Sequence, residues 1–198
     1  LKLKKYFSFI DMVKFAKNSS NAVTAATKLA RAYNGRKLIL RCKDHPFFSF
    51  DDWFIGSTAI TRGIPQDIQK LTKTFKYNDI TSFKSQISKY KKKIACVVME
   101  ASTFLCPKIE NQNEKCCQKY NCEKNYNKIH FLKSIQQICK KNKIVFIVDE
   151  TITGFRWHFK GACYKYKIKP DLVIFGKAIA NGFSLAVLGG RKKFMKLG

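Results

Sequence analysis

Two chemically reactive side chains lie at the ends of two apolar runs in the second half of the chain. The run Ile144–Asp149 ends on the carboxylate of Asp149, and the run Asp171–Gly176 is followed by the amine of Lys177. Both runs have the length and the Val and Ile content of strands that are buried on both faces of a parallel sheet. In open α/β sheets, ligands bind beyond the carboxyl ends of the strands. If the two runs form neighbouring strands, a carboxylate and an amine project into one crevice.

This pair of side chains would suit pyridoxal phosphate. That cofactor needs an amine that forms a Schiff base with its aldehyde and an anionic partner for its ring nitrogen, and Lys177 and Asp149 are of these two types. A carboxylate favours the protonated ring nitrogen, and the released lysine could move a proton of the substrate. Spacing alone leaves the ordinary alternatives open, in which Asp149 caps a helix and Lys177 is merely solvated.

A possible phosphate site lies near the start of the chain. The segment Asn18-Ser19-Ser20-Asn21 precedes a helical pattern that begins near Ala22. Free backbone N–H groups and the helix dipole attract phosphate at such a place, and the hydroxyls of Ser19 and Ser20 add donors. The alternative is an ordinary N-cap formed by Ser19 or Ser20.

Strands and helices alternate along the sequence, which predicts an α/β domain with a mainly parallel sheet. The predicted strands are Lys37–Cys42, Ile94–Glu100, Ile144–Asp149, Asp171–Gly176 and Ser184–Gly189. The predicted helices are Ala22–Tyr33, which ends at Asn34-Gly35, and Ile129–Lys141, which ends at Asn142.

Composition narrows the class of protein and its partners. The 198 residues suffice for roughly one domain, and the hydrophobic content of 45% is that of a globular chain. The net charge of +26 raises the question of nucleic acid, but the basic residues are mostly Lys and are scattered, so we expect solvated faces. No apolar run reaches the roughly 18 residues of a membrane span, and no secretory signal is evident, which favours the cytoplasm. The chain lacks an initiator Met, and both ends look like cuts through a larger protein.

The eight cysteines do not form the framework of a small secreted domain. Cys96, Cys139 and Cys163 lie in apolar or helical patterns, which predicts buried, reduced thiols. The segment from Cys106 to Cys122 is a cluster that could bind zinc, but it lacks paired C-x-x-C knuckles. A polar insertion or loop over residues 107–128 is the favoured interpretation, and we expect no metal site.

Several longer motifs resemble those of one enzyme family. They are the runs Asp149–Arg156, Pro170–Leu172, Phe175–Phe183 and Gly189–Arg191, and, upstream, Val13–Phe15, Lys17–Ala22 and Leu29–Arg36. Together they look like the signature of the class III aminotransferases, in family order over most of the chain. Within the class they are most similar to glutamate-1-semialdehyde 2,1-aminomutase and its transaminase relatives.

The resemblance implies a fold-type-I large domain that binds pyridoxal phosphate and acts as a homodimer with the active site at the subunit interface. By position, Lys177 matches the Schiff-base lysine and Asp149 the partner of the ring nitrogen. Ser19 and Ser20 match the phosphate turn, Phe47 the aromatic residue that stacks on the ring, and Glu100 a glutamate at a strand end near the site. The family's N-terminal segment and C-terminal small domain have no counterpart, so residues 1–198 resemble an incomplete large domain.

The implied reaction is the transfer of an amino group, or its migration to a neighbouring carbon, on a small amino acid or amino-carbonyl substrate. Ile152 stands where many transaminases carry Gln, and an apolar residue there is typical of the aminomutase branch. The alternatives are a transaminase of amino-sugar or surface-polysaccharide biosynthesis and a basic, inactive binding fragment. The motif Asp52–Thr58 is either a loop that faces the substrate or a packed aromatic corner.

Overall fold

A computed structural model of the chain describes residues 2–102, 105–108 and 130–198. Within these residues the helices are Lys2–Tyr6 (α1), Ser19–Asn34 (α2), Asp52–Ile55 (α3), Gln66–Gln69 (α4), Ile80–Tyr90 (α5), Phe131–Lys141 (α6), Gly161–Lys165 (α7) and Lys192–Met195 (α8). The strands are Met12–Ala16 (β1), Leu38–Cys42 (β2), Thr72–Phe75 (β3), Ile94–Glu100 (β4), Val145–Asp149 (β5), Leu172–Phe175 (β6) and Ala186–Gly190 (β7). Two 3-10 turns cover Lys91–Lys93 and Lys177–Ile179.

The strands form one sheet in the order β1-β7-β6-β5-β4-β2-β3. The strands β3, β2, β4, β5 and β6 are parallel neighbours, so the predicted mainly parallel sheet is confirmed. Strand β7 is antiparallel to β6, although its apolar run predicted a parallel strand. The connection from β6 to β7 covers only residues 176–185, which is too short for the crossover of a dozen or more residues that a parallel pair requires.

Both faces of the sheet are covered, and this explains the continuous apolar runs. Successive residues of a strand point to opposite faces. Ile39 packs with the apolar side of α2 in one cluster of buried residues, whereas its neighbour Leu40 packs with residues of α5 and α6 in the other. A strand buried on both faces does not alternate apolar with polar residues, and the central strands therefore match the predicted runs to within two residues.

Helix α2 begins and ends on recognisable caps. Its N-cap is Asn18, whose side-chain Oδ1 accepts a hydrogen bond of 2.9 Å from the amide of Asn21. The prediction of Ser19 or Ser20 as N-cap was therefore wrong, because Asn18 keeps the extended backbone of a cap while both serines are already helical. The predicted stop is confirmed, since Gly35 has a φ of 68° and donates its amide to Arg31.

The predicted insertion at residues 107–128 lies outside the described residues, apart from Pro107 and Lys108. The same holds for most of the cysteine cluster that begins at Cys106. Among the described cysteines, Cys96, Cys139 and Cys163 are free and buried, as predicted. No helix in the described part of the chain is long and apolar enough to cross a membrane.

Candidate functional site

The candidate site lies at the carboxyl ends of β4, β5 and β6, which are consecutive strands of the sheet. Glu100 and Asp149, the last residues of β4 and β5, are partners in the strand register. Asp149 is in turn the register partner of Ile174 in β6, and Lys177 follows β6 at the same edge. The expectation that the two reactive side chains come from neighbouring strands is thus confirmed.

One cavity of about 400 Å³ brings the predicted residues together. A volume of this size can hold a small cofactor, since ligand pockets typically measure roughly 300–1,000 Å³. All six residues that the sequence singled out line it: Ser19, Ser20, Phe47, Glu100, Asp149 and Lys177. The fold therefore brings residues that are far apart in the sequence, such as Ser19, Glu100 and Lys177, into one cavity.

Asp149 forms part of the buried floor of the cavity, with only 4% of its surface exposed. Its Oδ1 atom accepts a hydrogen bond of 2.9 Å from the amide of Thr151. Burial raises the pKa of Asp149 to about 6, and the hydrogen bonds from Thr151 and the positive charge of Lys177 act in the opposite direction. In the part of the chain that the structure describes, Asp149 has no salt bridge within 4.0 Å. A cationic group in the cavity would therefore find a buried carboxylate ready to pair with it.

Glu100 is a second buried carboxyl group in the same cavity. Burial and, to a lesser extent, the neighbouring Asp149 raise its pKa to about 8, although the charge of Lys177 partly opposes the shift. Its Oε2 atom is buried and has no hydrogen-bond partner in the structure. At neutral pH the carboxyl group of Glu100 is thus largely protonated, and it can donate a hydrogen bond to a group in the cavity.

The sequence did not indicate the residue that holds the end of β4 in place. The ring nitrogen Nδ1 of His45 accepts a hydrogen bond of 3.0 Å from the amide of Glu100. The imidazole is buried, and desolvation lowers its pKa to about 4, so the ring is neutral and can act as an acceptor. A second contact holds Ala101, the residue after Glu100: the hydroxyl of Tyr77 donates to its carbonyl at 2.7 Å. No motif around His45 pointed to this role, because the contact is made by a single side chain across 55 residues.

Glu150, next to Asp149, does not line the cavity and instead accepts hydrogen bonds from the start of α7. Its carboxylate is fully buried and accepts hydrogen bonds from the amides of Ala162 and Cys163 at 2.8 and 2.7 Å, and from the hydroxyl of Thr153 at 2.7 Å. These contacts satisfy free amides at the start of α7. Of the two adjacent carboxylates that end the apolar run, only Asp149 lines the cavity.

The beginning of α2 forms the opposite wall of the cavity. The amides of Ser19 and Ser20 have no acceptor within the helix, as is general for the first turn. The hydroxyl of Ser20 is already engaged, because it contacts Ser49 Oγ at 3.0 Å and accepts a hydrogen bond from the amide of Phe50 at 2.8 Å. Ser20 can thus contribute its amide to an anion, whereas Ser19 can contribute both its amide and its hydroxyl.

Apolar side chains complete the cavity, and Phe47 is the one that the sequence identified. Its ring is 43% exposed and contacts the rings of Phe50 and Phe54 with centroid distances of 4.8 and 5.5 Å. Phe50 and Phe183 also line the cavity and are 77% and 83% exposed. The sequence analysis assigned neither to the site, since isolated aromatic residues in loops carry no positional signal. Ile152 lines the cavity too.

The motif Asp52–Thr58 forms a packed aromatic corner. Trp53 and Phe54 are buried, and the indole nitrogen of Trp53 donates to Thr24 Oγ1 at 2.9 Å. Arg41 extends behind the motif, donates to both the hydroxyl and the carbonyl of Ser57, and lies over the Phe54 ring at 4.9 Å. None of the motif's residues lines the cavity, so the packed alternative is the correct one.

Comparisons with known proteins agree with this architecture. The family model "Aminotransferase class-III" matches residues 124–197. A glutamate-1-semialdehyde 2,1-aminomutase of Francisella philomiragia is 32% identical over 195 residues, which are 94% of this chain and 41% of that protein. The chain therefore spans well under half the length of this curated relative.

Solved structures show the same fold. A transaminase with PLP bound superposes with a TM-score of 0.80 at 22% identity, over 98% of this chain and 43% of the other. A glutamate-1-semialdehyde aminomutase from Pseudomonas aeruginosa superposes with a TM-score of 0.74 at 16% identity, over 99% and 41% of the two chains. The family model, the curated relative and the shared fold point the same way, and the chain is a homologue of the class III aminotransferases.

Proposed function

We propose that this chain is the cofactor-binding core of a pyridoxal-phosphate-dependent enzyme that transfers an amino group or moves it to a neighbouring carbon. One observation carries the proposal: Asp149 and Lys177, at the ends of adjacent parallel strands, share one small cavity with the first turn of α2. The relationship to the class III aminotransferases supports it, and so does the shared fold of a transaminase that was solved with PLP bound.

The residues of the cavity fit the cofactor. Ser19 and Ser20 would hold the phosphate through their amides and the Ser19 hydroxyl, since a helix N-terminus attracts anions. Asp149, buried and without a salt bridge among the described residues, would pair with the ring nitrogen, whose protonated form it stabilises. Phe47, with its half-exposed ring, would pack on the face of the heterocycle.

Bound pyridoxal phosphate supplies an electron-accepting ring that makes a proton on the adjacent substrate carbon removable. Lys177 is the group that would anchor the cofactor covalently and then move that proton as general base and general acid. Its backbone has a φ of 45°, which is uncommon for a residue other than glycine. Lys177 opens the 3-10 turn Lys177–Ile179 directly after the extended Gly176.

Glu100 and the aromatic residues would control protons and water. A protonated Glu100 adds a hydrogen-bond donor without adding a second negative charge beside Asp149. The exposed rings of Phe50 and Phe183 at the rim would exclude water from the reacting atoms once substrate covers them. Water exclusion strengthens each electrostatic interaction inside the cavity.

Amino migration is the more specific form of the proposal. The relative that is 32% identical carries the name of an aminomutase, and Ile152 places an apolar side chain in the cavity at the position that resembles that branch. Because the chain spans 41% of that relative, substrate, homodimer formation and location in the cytoplasm are parts of the proposal as well. A transaminase of amino-sugar or surface-polysaccharide biosynthesis is the alternative.

The cofactor assignment can be tested by reduction and peptide mapping. The full chain is titrated with pyridoxal phosphate, reduced with borohydride and digested, and the modified lysine is located by mass spectrometry. We expect about one equivalent on Lys177 and loss of the visible absorbance band in Lys177→Ala. Lys143→Ala is the matched control, because Lys143 is also exposed, has a φ of 54° and lies at the opposite edge of the sheet. Modification spread over many lysines, or an unchanged band in Lys177→Ala, would contradict the assignment.

The type of reaction can be tested with a single substrate. An enzyme that moves an amino group within an amino aldehyde converts it without a separate acceptor, whereas a transaminase needs both an amino donor and a keto acceptor. We expect conversion of the amino aldehyde alone. An absolute requirement for a keto acid would favour the transaminase.

A further inference from the structure

A cleft among the described residues lies at the amino-terminal ends of β5 and β6, opposite the ends that carry the candidate site. It has a volume of about 1110 Å³ and forms between the C-terminal ends of α2 and α6, the starts of β5 and β6, and α8. Six basic side chains line it, and we call it the basic cleft: Arg36, Lys140, Lys143, Lys169, Arg191 and Lys193. They come from separate segments of the chain, so only the fold gathers them.

The basic cleft contains only two carboxylates, and each accepts a hydrogen bond from a backbone amide. Its two carboxylates are Asp11 and Asp171. Asp171 Oδ2 accepts a hydrogen bond of 3.0 Å from the amide of Phe146, and Asp11 Oδ2 accepts one of 2.9 Å from the amide of Lys192. Among the described residues, the only salt bridge joins Lys70 to Asp67, far from this cleft in the sequence. Asp171 interacts with the charges of Lys193 and Arg191, but six basic side chains against two carboxylates still leave the cleft with an excess of positive charge.

A second cleft adjoins the first, and Lys169 lines both. It has a volume of about 780 Å³ and combines lysines with aromatic rings, and no carboxylate is among the residues that line it. We call it the aromatic cleft. Besides Lys169, its lysines are Lys5, Lys160, Lys165 and Lys167, and its partly exposed rings are Tyr6, Trp157, His158 and Tyr164.

Aromatic rings and lysine ammonium groups lie next to each other in the aromatic cleft. His158 and Tyr164 are stacked with centroids 4.4 Å apart and planes 25° apart, and Tyr164 is 52% exposed. The ammonium groups of Lys160 and Lys165 lie 4.9 and 5.0 Å from the ring centroids of Tyr164 and Trp157. Aromatic rings interleaved with lysines are typical of surfaces that bind single strands, where bases stack and phosphates pair with cations.

Helix dipoles explain only part of this charge. Lys140 is in the last turn of α6, where a cation is favourable next to the free carbonyls. Lys193 lies in the single turn of α8, where its ammonium group is 5.3 and 4.7 Å from the ring centroids of Tyr33 and Phe194. Lys169 lies outside any helix, in the segment before β6. Lys169 and the exposed rings of the aromatic cleft have no such local explanation, and a polyanionic partner supplies one.

We propose that a single-stranded nucleic acid binds along the basic and aromatic clefts, with its phosphates on the basic side chains and its bases on the exposed rings. The site is separate from the candidate active site, because the basic cleft lies at the amino-terminal ends of the strands and the cofactor cavity at the carboxyl ends. Binding there does not depend on the proposed enzymatic function.

Two variants with the same change in net charge test the proposal. The first removes three exposed cleft lysines: Lys140→Gln, Lys169→Gln and Lys193→Gln. The second removes three exposed lysines that line neither cleft: Lys76→Gln, Lys84→Gln and Lys92→Gln. Binding of a fluorescein-labelled 20-nucleotide single strand of mixed sequence to the full chain is measured by anisotropy between 50 and 300 mM salt.

We expect the cleft variant to bind at least tenfold more weakly at 150 mM salt and the control variant to bind within twofold of the parent. Each phosphate contact on a single strand contributes about 0.7 to the slope of log affinity against log salt, so the cleft variant should lose about 2 from that slope. Equal weakening in both variants would show attraction by net charge alone and would overturn the proposal. So would the absence of binding at 150 mM salt.

A third variant tests the stacking surface, since its side chain carries no charge. Tyr164→Leu keeps an apolar side chain at an exposed position of α7 but removes the ring. We expect at least a fivefold loss of affinity with an unchanged salt slope, because loss of base stacking does not change the number of phosphate contacts. Unchanged affinity, or competition by polyglutamate as strong as that by unlabelled oligonucleotide, would overturn the assignment to nucleic acid. Circular dichroism and thermal melting of each variant identify any that fails to fold.

Discussion

The close approach of Ser19 and Gly176 gives a sharp test of the candidate site. A Cβ atom built on Gly176 would overlap with Ser19 Oγ and would lie 3.1 Å from Thr151 Cγ2 and 3.5 Å from Ser19 Cβ. The backbone of Gly176 is extended, with a φ of −150°, so alanine is not excluded by the backbone itself. The hydroxyl of Ser19 is the main obstacle to a side chain at position 176.

The magnitude follows from this geometry. An overlap of this kind costs about 1–3 kcal/mol in a packed environment, while the lower flexibility of the unfolded chain returns about 0.4–1 kcal/mol to a Gly→Ala change. We therefore expect Gly176→Ala to lower the free energy of unfolding by about 1–2 kcal/mol. Ser19→Ala alone should cost less, because Asn18 rather than Ser19 caps α2. In the double variant the overlap with Oγ disappears, and the remaining contact with Thr151 is mild.

Urea denaturation of the parent, both single variants and the double variant measures the coupling. We expect the double variant to be more stable than the sum of the two single changes predicts, by at least about 1 kcal/mol. Additive changes, within the roughly 0.3–0.5 kcal/mol typical of independent sites, would refute the argument that Ser19 and Gly176 touch. The same four proteins also report on the cofactor: Gly176→Ala should weaken uptake of pyridoxal phosphate, because a displaced Ser19 hydroxyl can no longer face the phosphate.

Three further predictions follow from the capping and the buried carboxyl groups. Asn18→Ala should lower the free energy of unfolding by about 1 kcal/mol in urea denaturation, because the Asn18 side chain caps α2. Asn18→Ser should retain most of the parent's stability, because serine is also a good N-cap. Glu150→Gln should cost about 1–3 kcal/mol, since the amide that replaces one carboxylate oxygen cannot accept from both Ala162 and Cys163; loss below about 0.5 kcal/mol would be inconsistent with these bonds. The pKa of Glu100 in the folded chain is about 8, above the ordinary value of 4.5. Between these two pH values the folded state binds more protons than the unfolded state, so the stability of the cofactor-free chain should fall as the pH rises from one to the other. Glu100→Gln should flatten this part of the stability profile, and an unchanged slope would contradict the shift.

The central strands could be predicted from sequence because burial on both faces leaves a simple signal. Runs such as Ile94–Glu100 contain no polar interruption before the strand end, and the strand boundaries follow from that alone. The edge strands β1 and β3 were not predicted, because each carries a lysine in its interior, Lys14 and Lys73. Such strands take their structure from the neighbour with which they pair rather than from their own composition.

The candidate site was only partly predictable for a related reason. Residues that end predicted strands, such as Asp149 and Glu100, could be placed at the carboxyl edge as soon as the sheet was recognised. His45 and Phe183 could not be placed, since their positions depend on how loops fold back over that edge. The wrong N-cap prediction at the start of α2 has a local cause. Three successive residues, Asn18, Ser19 and Ser20, are all good N-caps, and propensity alone cannot choose among them.

The scattered lysines show the same limit at the scale of the whole molecule. Linear spacing disfavoured a nucleic-acid surface, because no stripe of basic residues appears along any one helix. The structure collects Lys140, Lys169 and Lys193 from three different segments into one cleft. Charge that is dispersed in the sequence can thus be concentrated in space, and only the positions of the side chains decide between a solvated face and a binding surface.

The contact between Ser19 and Gly176 also bears on the order of folding and cofactor binding. Ser19 belongs to the proposed phosphate site and Gly176 immediately precedes the proposed covalent anchor, yet the two are 157 positions apart in the sequence. Neither group alone can fix a cofactor by both ends, and they meet only after α2 has packed beside β6. The cavity is therefore a product of the completed sheet, and we expect a chain destabilised anywhere in its central strands to lose cofactor and fold together rather than cofactor alone. Val98 is buried in β4 and does not line the cavity. A variant of this central strand such as Val98→Ala should show uptake of pyridoxal phosphate and native circular dichroism disappearing at the same urea concentration.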